Sequence, residues 1–457
     1  MIGAVTASIF GALILMGLAR PHWAFALLVL FFALEVSLQA SVAPFRAFPP
    51  LANFFMAGTL GCGLIVALLR QDRPFAGALT PALGIILFIY LWSILSLIWT
   101  PAVPDAHNHG SNIMRDEWPY VILVVIMTPL LMDGIGNWDT ARQVILYMGS
   151  LIVITVLANP EFTIKLGRIG IVLDGATRTS PLAIGQMGGT LAIIGALYRG
   201  RVAGRASTVL GLGGFLMGML LALYSGSRGQ AVFALVAMFC MFPVSRQLKS
   251  VATFLGSTLS LMLAIAIALV AFSIVTGEAD VDRWRVDRVQ DASGLRLQNI
   301  GLLLGEFVNN PGSWLIGLGF NAFSTIGNDL GQGYSHCTFV DVLCEEGLPA
   351  FVALLFMCGM VIKAGRRLFL RFQNSPAQRS AVATLLALWL YQFFICNKEG
   401  NLWAAVNFFM LSCVIVRIDH REALGLPREQ FEEALDPPAL PLVEEVPESA
   451  PEPSPAR

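Results

Sequence analysis

Residues 206–243 read ASTVLGLGGFLMGMLLALYSGSRGQAVFALVAMFCMFP and contain one ionisable side chain, Arg228. The stretch holds two apolar runs, 206–224 and 229–243, on either side of a short polar junction. A helix needs about 20 apolar residues to cross the core of a bilayer, and a helix bonds its own backbone polar groups where no water is present. The stretch therefore predicts two membrane-spanning helices joined by a tight turn.

The composition extends this interpretation to the whole chain of 457 residues. Hydrophobic residues make up 56% of the chain and charged residues 13%, and the mean hydropathy is +0.71. Soluble domains carry about a quarter charged residues, so we exclude an ordinary soluble enzyme and predict an all-α, polytopic transmembrane helix bundle. The formal net charge of −1 excludes a broadly basic surface, so we expect no nucleic-acid partner.

Thirteen runs qualify as candidate spans. They are approximately residues 2–19, 22–43, 51–69, 79–99, 119–133, 141–158, 180–198, 206–224, 229–243, 251–275, 338–362, 380–396 and 401–417. The first run has no basic segment before it and no small-residue cleavage site, which indicates a retained helix rather than a signal peptide. The alternative is twelve spans, with one early run interfacial or re-entrant. These two alternatives leave open on which side of the membrane the N-terminus lies.

Lysine and arginine are concentrated in alternate connections, which predicts that these connections face the cytoplasm. The residues are Arg20, Arg70, Arg73, Arg142, Arg199, Arg201, Arg205, Arg246, Lys249, Lys363, Arg366, Arg367, Arg371, Arg379, Arg417 and Arg421. The remaining connections then face outward: 44–50, 100–118, 159–179, 225–228, the long segment 276–337, and 397–400.

The composition changes after Arg421. Residues 422–457 hold eight prolines and nine acids against two arginines, which is typical of a disordered segment. We therefore divide the chain into a transmembrane bundle, 1–421, and an acidic, proline-rich cytoplasmic tail, 422–457. The tail is either a solvated terminus or a docking segment.

Several cations lie in outward connections, where the positive-inside pattern depletes them. Arg178, Arg228 and Arg296 are examples, and arginine binds phosphate oxygens through two parallel hydrogen bonds. The spans that begin near 180, 229 and 338 all run inward, so their N-termini and unpaired N–H groups face outward. Together these features predict a binding site for an anion at the outer interface. The alternative is that Arg178 and Arg228 extend to lipid headgroups.

His336 is the residue that we expect to take part in chemistry. On a continuous helix beginning there, Gly347 would lie on the same face and leave room for a substrate beside the imidazole. The alternative is that His336 only makes hydrogen bonds at the membrane interface. The pair His107 and His109 has no third ligand nearby in the sequence, and the seven cysteines have no zinc spacing. We therefore predict no metal and no cofactor.

Three pieces of the chain resemble elements of the O-antigen ligase and O-antigen polymerase superfamily, whose members are integral membrane glycosyltransferases. Ser225-Gly226-Ser227-Arg228-Gly229 is similar to the S-R-G element at the head of a span. Arg296, followed by Asn310-Pro311 and the glycine turn 317–323, resembles the stretch in which an arginine precedes a short amphipathic helix. His336-Cys337 with Gly347-Leu348-Pro349 resembles the ligase histidine motif. The resemblance covers about residues 170–416.

The resemblance implies a donor, an acceptor and a role for each residue. The donor is a glycan linked to undecaprenyl diphosphate, and the acceptor is a hydroxyl of lipid A core or of a growing polysaccharide. Transfer is inverting and needs no metal, and it takes place at the periplasmic face of the bacterial inner membrane. His336 acts as general base or positions the acceptor, while Arg228 and Arg296 bind the diphosphate and stabilise the charge of the leaving group. Arg178 is a third diphosphate ligand.

Two positions depart from the family pattern. Cys337 stands where asparagine or serine is usual, so a hydrogen bond from the neighbour of the histidine is expected to be missing. Ala350 replaces a frequent glycine. Ligases and polymerases share all of these elements, so an O-antigen or exopolysaccharide polymerase is an alternative. An alternative of a different class is a transporter or flippase for lipid-linked glycans, which would bind the same lipid without transferring the sugar.

Overall fold

A computed structural model shows how the predicted runs fold. It describes residues 1–101, 118–165, 168–173, 176–177, 181–199, 205–246, scattered positions from 252 to 270, 286–327, 335–399 and 401–426. Arg178, His107, His109 and residues 427–457 of the predicted tail lie outside this part, and so do most residues of the predicted span 251–275.

In the first part of the described chain, seven α-helices precede a small sheet. They are α1 (Ile2–Ala19), α2 (Pro21–Ser41), α3 (Ala43–Ala47), α4 (Pro50–Arg70), α5 (Pro81–Ser96), α6 (Trp118–Val121) and α7 (Ile135–Ala158). Proline begins α2, α4 and α5, where its missing N–H has no helical partner to lose. After α6 the chain continues as a π-helical turn (Ile122–Met127) and a 3-10 turn (Thr128–Leu131). Pro129 cannot donate the α-helical hydrogen bond in this stretch.

The connection after α7, which was predicted to face outward, contains a small antiparallel sheet. Its strands are β1 (Phe162–Lys165), β2 (Arg168–Leu173) and β3 (Ala176–Thr177). Phe162 pairs with Ile171, and Val172 pairs with Thr177. The sequence predicted only a connection here, because the strands are too short to show a clear alternation.

Ten further helices follow the sheet in the described residues. They are α8 (Pro181–Leu197), α9 (Arg205–Tyr224), α10 (Arg228–Ser245), α11 (Val286–Asn309), α12 (Ser313–Ile316), α13 (Phe323–Ile326), α14 (Thr338–Glu345), α15 (Gly347–Arg371), α16 (Pro376–Glu399) and α17 (Val406–Ala423). A 3-10 turn (Trp403–Ala405) precedes α17.

Nine helices in the described part are long and apolar enough to cross a membrane, namely α1, α2, α4, α7, α9, α10, α15, α16 and the last helix with the turn before it. Three shorter apolar helices accompany them, at Pro81–Ser96, Trp118–Leu131 and Pro181–Leu197. The predicted all-α helical bundle of a multi-pass membrane protein is therefore confirmed at this level. Twelve of the predicted runs overlap one of these helices, and the remaining run is 251–275.

The predicted helix 338–362 is wrong at one point, because the chain breaks between α14 and α15. Gly347 has φ of +87°, a conformation that glycine adopts without the steric cost of a side chain. A Cβ on Gly347 would lie 2.8 Å from the Leu315 carbonyl oxygen. His336 lies before α14, with φ of +69°, so the prediction that it shares a helical face with Gly347 is also wrong.

Helices α8 and α9 pack backbone against backbone through glycines. A Cβ on Gly188 would lie 2.5 Å from the Ala222 nitrogen, and one on Gly218 would lie 2.3 Å from the Ala192 nitrogen. Small residues at such positions let membrane helices approach closely and gain van der Waals contact. This contact places the beginning of α10, which follows α9 directly, next to α8.

The connections of the bundle meet in two groups, at opposite ends. Arg417 of α17 reaches the connection 71–76 and the end of the 3-10 turn after α6. Its guanidinium donates to the carbonyl oxygens of Met132 at 3.2 Å, Ala76 at 3.0 Å and Pro74 at 2.9 Å, and to Gln71 Oε1 at 3.0 Å. All of these segments belong to connections predicted to be cytoplasmic, so the structure supports their grouping at one end.

Arg421 and Arg142 are fixed in the same way at this end. Arg421 donates to the carbonyl oxygens of Asp133, Arg73 and Asp72 and pairs with the Asp133 carboxylate. The carboxylate of Glu422 accepts from the Ile135 N–H at 3.0 Å. Glu422, assigned to the tail from composition, is thus part of α17, which ends at Ala423.

We predict that Arg417→Ala lowers the temperature of unfolding in detergent by more than about 5 °C. Arg417 is 0% exposed, and its loss leaves buried acceptors without donors, a change that costs about 3 kcal/mol or more. Thermal unfolding of the purified protein measures the effect. The matched control is Arg371→Ala at the exposed end of α15, and equal unfolding temperatures for the two variants would contradict the prediction.

Candidate functional site

The junction Ser225–Gly229 places Arg228 at the first position of α10. Ser227 is the N-cap residue, and its hydroxyl makes no capping hydrogen bond. The hydroxyl of Ser225 accepts from the Ser227 N–H at 3.2 Å and donates to the Ala222 carbonyl at 2.7 Å. Arg228 is half-buried. Hydrogen bonds within the turn therefore fix its conformation. The turn holds Arg228 at the N-terminus of α10, where the end of the helix dipole is positive.

Lys398, near the end of α16, lies directly over Gly229. A Cβ on Gly229 would be 2.5 Å from Lys398 Nζ and 2.3 Å from its Cδ. A Cβ at this position would require the flexible lysine side chain to shift. The contact brings a second cation beside Arg228, from a position 170 residues later in the chain.

A short loop with a left-handed backbone carries His336. A residue other than glycine with positive φ is uncommon, and such strain persists only where the surroundings hold it. The Ser335 hydroxyl provides this support because it donates to the Asp341 carboxylate and accepts from the Cys337 N–H at 3.1 Å. The backbone of His336 is therefore held at the entrance of α14 by residues on both sides of it.

The same loop is attached to the end of α16. Asn397 Oδ1 accepts from the Phe339 N–H at 3.1 Å and from Cys337 Sγ at 3.4 Å. The Thr338 hydroxyl donates to the Cys396 carbonyl at 2.8 Å. The expectation that Cys337 leaves a hydrogen bond unmade is thus wrong, since its thiol donates one.

Arg228, His336 and Lys398, which we term the cation–histidine cluster, are therefore connected by successive contacts. Lys398 touches Gly229, the residue after Arg228, and Asn397, the residue before Lys398, bonds the residues that follow His336. The beginning of α8 joins them, because a Cβ on Gly185 would lie 2.6 Å from Ser225 Oγ. The beginnings of α8, α10 and α14 thus gather around the end of α16.

Arg296 lies on α11, whose buried residues Leu303 and Phe307 pack with Phe323 and Cys344. Arg296 precedes Leu303 by seven residues, so it lies on the same face about 10 Å earlier along the helix. It is half-buried. In the described part of the chain, Arg296 is connected to the cation–histidine cluster only through the packing of α11 on α14. Arg178, the third predicted ligand, lies outside the described residues.

Three buried acids stand behind the histidine loop: Asp341, Glu345 and Glu346. Burial, then the neighbouring Glu345, raise the pKa of Asp341 well above its usual range. Burial raises the pKa of Glu345 to about 7, against the opposing effect of two backbone N–H groups. Burial and repulsion from Glu345 raise the pKa of Glu346 to about 8. In the described part no cation pairs with these three carboxyls.

Glu345 connects α14 to the glycine turn 317–323. Its carboxylate accepts from the N–H groups of Asn321 at 3.1 Å and Phe323 at 3.0 Å. Gly317 must approach without a side chain, because a Cβ there would lie 2.0 Å from the Glu345 carbonyl oxygen. The glycines of this turn therefore permit close backbone packing, and the Thr100 hydroxyl packs against the turn from the α5 side by donating to the Phe320 carbonyl at 2.7 Å.

Sequence reasoning singled out neither Lys398 nor Asn397 as a site residue. From the sequence, Lys398 is only one of several cations in the connections predicted to face outward. The available signal was the tripeptide Asn397-Lys398-Glu399 between two apolar runs, in a connection too short to need three polar residues. Among the described residues, no three His, Cys, Asp or Glu side chains are grouped as metal ligands.

A comparison with known proteins adds no family assignment: no protein-family model matches the chain, and no curated protein matches it.

The buried acids predict that stability falls as pH rises. An unfolded glutamate has a pKa of about 4.3, so raised values mean that the folded protein holds more protons between about pH 4.3 and 8. The stabilising contribution is complete below the unfolded pKa and is lost as pH rises through 7 and 8. Unfolding temperatures measured from pH 5.5 to 9 should therefore decrease.

Glu346→Gln should flatten this dependence, because glutamine stays neutral at every pH. Glu161→Gln, at an exposed acid after α7, is the matched control and should keep the slope of the unmodified protein. A Glu346→Gln slope equal to that of the control would show that Glu346 does not hold a proton in the folded state.

Proposed function

We propose that the protein is a membrane glycosyltransferase of the O-antigen ligase type. It transfers a glycan from an undecaprenyl diphosphate carrier to an acceptor hydroxyl at the periplasmic face of the bacterial inner membrane. The observation that carries the proposal is the cation–histidine cluster. Lys398 lies over Gly229 beside Arg228, and the residue before Lys398 holds the loop of His336. A diphosphate needs two cations close together, and a hydroxyl acceptor needs a base beside them.

The step requires one bond to form and one to break. The acceptor oxygen attacks the anomeric carbon and its proton passes to His336, while the bond from that carbon to the phosphate oxygen breaks. The electron pair and the negative charge remain on the polyprenyl diphosphate. Arg228 and Lys398 stabilise this charge together with the positive end of α10. Attack opposite the leaving group inverts the anomeric centre.

Arg296 and Arg178 complete the proposed diphosphate site. We place Arg296 at its edge, on the amphipathic helix α11, and the segment 276–337 over the donor on the periplasmic side. The bundle then crosses the membrane twelve or thirteen times with the tail 422–457 in the cytoplasm. The acceptor is a lipid A core sugar in the ligase form of the proposal.

We predict that His336→Ala lowers the turnover of glycan transfer at least 100-fold and changes donor affinity less than about threefold. The assay uses the purified protein with a lipid-linked glycan donor and a lipooligosaccharide acceptor. His420→Ala, at the opposite end of the bundle, is the control. Undiminished movement of the lipid-linked glycan in His336→Ala vesicles, with no sugar transferred by any variant, would support a transporter instead.

We predict that Arg228→Lys weakens donor binding about tenfold, because lysine cannot make two parallel hydrogen bonds to phosphate oxygens. Arg46→Lys is the matched control, since Arg46 lies in an outward connection away from the cluster and donates to the Gln39 carbonyl at 3.3 Å. Binding of the lipid-linked donor is measured directly. Equal affinities for the two variants would remove Arg228 from the diphosphate site.

The acceptor distinguishes the ligase from the polymerase. A ligase should form a single product with lipooligosaccharide and none from the donor alone. Ladders of increasing length from the donor alone would instead assign the protein to polysaccharide polymerisation with the same site.

A further inference from the structure

A second group of cations lies at the end of the bundle opposite the cation–histidine cluster. Arg199 follows α8, Arg246 follows α10, and Arg379 lies in the first turn of α16. Helix α10, with 18 residues, separates Arg246 from Arg228 by about 27 Å. The three arginines, which we term the triple-arginine cluster, are partly exposed and take no part in the proposed transfer reaction.

Hydrogen bonds hold the chain near these arginines together. Arg379 donates to the carbonyl oxygens of Val244 at 2.6 Å and Arg246 at 3.4 Å. Arg142 donates to the Arg199 carbonyl at 3.0 Å and also to a carbonyl in the first turn of α16. The ends of α8 and α10 therefore lie against the beginning of α16.

No carboxylate balances the charge of this cluster in the part of the chain that the structure describes. The described ion pairs at this end join other arginines to Asp133, Asp139 and Asp419. The sequence around the cluster supplies no acid either. Six arginines and lysines, and no aspartate or glutamate, are present in the three stretches that contain the cluster, namely 199–205, 244–250 and 372–379. A counter-ion must therefore come from outside these stretches.

The positive charges of the cluster act on one another. Arg199 is close enough to repel Arg246 and Arg379. Burial, and then the charge of Arg199, lower the pKa of Arg246, and its buried Nε has no hydrogen-bond partner among the described residues. A buried charge is normally paired and hydrogen-bonded. An anion bound among the three guanidinium groups would supply both the charge and the acceptors.

The surface beside the cluster is of the kind that faces lipid. Helix α10 is long and apolar enough to cross a membrane. Val232 and Phe239 precede Arg246 by 14 and seven residues, so they lie near one face with it, and they are 46% and 40% exposed. The Phe242 ring lies under the Arg246 guanidinium, with 5.2 Å between the ring centroid and Cζ. The cluster therefore lies where an exposed apolar surface ends, which is the position of a phospholipid headgroup.

We propose that the triple-arginine cluster binds the headgroup of an anionic phospholipid. The phosphate accepts hydrogen bonds from the guanidinium groups of Arg199 and Arg246, and the acyl chains lie along Val232 and Phe239. A choline headgroup carries a cation that the three arginines repel, so the site distinguishes phosphatidylglycerol from phosphatidylcholine. The inference does not rest on the proposed function, because the cluster lies at the other end of the bundle and binding alone tests it.

The test compares three radiolabelled probes: phosphatidylglycerol, phosphatidylcholine with the same acyl chains, and pyrophosphate. Each is added to the full-length protein in nonionic detergent micelles, and the amount retained by protein-free micelles is subtracted. We expect saturable binding of phosphatidylglycerol at least about tenfold tighter than binding of either other probe. Phosphatidylcholine brings a repelled cation, and pyrophosphate has no acyl chains to contact α10.

The variant Arg199→Gln/Arg246→Gln tests the cluster itself. One basic residue near a headgroup strengthens the binding of an anionic lipid about fivefold, so the loss of two should weaken phosphatidylglycerol binding at least about tenfold. Arg379 is left in place because its side chain holds the end of α10 through the Val244 carbonyl. The matched control Arg20→Gln/Arg70→Gln removes the same charge from two other connections predicted to be cytoplasmic, and it should keep the affinity of the unmodified protein.

Four results would each overturn the proposal: equal binding of the two lipids, tighter binding of pyrophosphate, no saturable binding of phosphatidylglycerol, or an equal loss in the two double variants. Tighter binding of pyrophosphate would assign the cluster to a soluble phosphate compound. Absence of saturable lipid binding is the result expected if the acids of 427–457 filled the cluster instead. The comparison of probes on the unmodified protein does not depend on the folding of any variant.

Discussion

A charge that is buried among the helices of the bundle must find its partner within the protein, because the surrounding lipid tails provide none. The two ends of the bundle meet this constraint differently. At one end Arg142, Arg417 and Arg421 are buried, and their guanidinium groups bond backbone carbonyls of neighbouring connections. At the other end Arg228 is half-buried at the beginning of α10, and Lys398, half-buried near the end of α16, lies over Gly229. A helix beginning presents N–H groups rather than carbonyls, so the cations of this second end are not held by the backbone of a helix end in the way that those of the first end are.

The histidine loop depends on the buried acids behind it. Ser335 holds the left-handed conformation of His336 by donating to Asp341, and Glu345, one turn later, receives the N–H groups of the glycine turn. The Trp92 indole donates to the Glu346 carbonyl at 2.9 Å, which attaches the break before α15 to α5. The segment that carries Asp341, Glu345 and Glu346 is thus bonded to the histidine loop, to the glycine turn and, through the Glu346 carbonyl, to α5, more than 200 residues earlier in the chain.

The sequence predicted the helices well because an apolar run of bilayer length has few other stable conformations. The sequence did not predict the break at Gly347, because a glycine within an apolar run is common in membrane spans. The break occurs because Leu315 and Gly317 approach Gly347 from another segment. Arg142, Arg417 and Arg421 were interpreted as cytoplasmic surface charges, because composition does not distinguish a buried arginine from an exposed one. Of the residues that the contacts of the histidine loop and of α10 bring together, the sequence singled out Arg228 and His336. It did not single out Lys398, because the contact of Lys398 with Gly229 exists only in three dimensions.

Helix α16 explains how the distant parts of the site keep their positions. Its 24 residues span about 36 Å, and near its first turn Arg142 donates to Ser380 Oγ at 2.8 Å and to the Ala377 carbonyl at 3.2 Å. Its far end carries Asn397, which holds the histidine loop, and Lys398, which lies over Gly229. Because hydrogen bonds from the buried Arg142 anchor the helix at one end, the location of Lys398 is fixed relative to the whole bundle rather than to its own short connection. A lysine in a free loop of three residues would move between lipid, water and protein. The proposed diphosphate site requires a lysine that stays in one position.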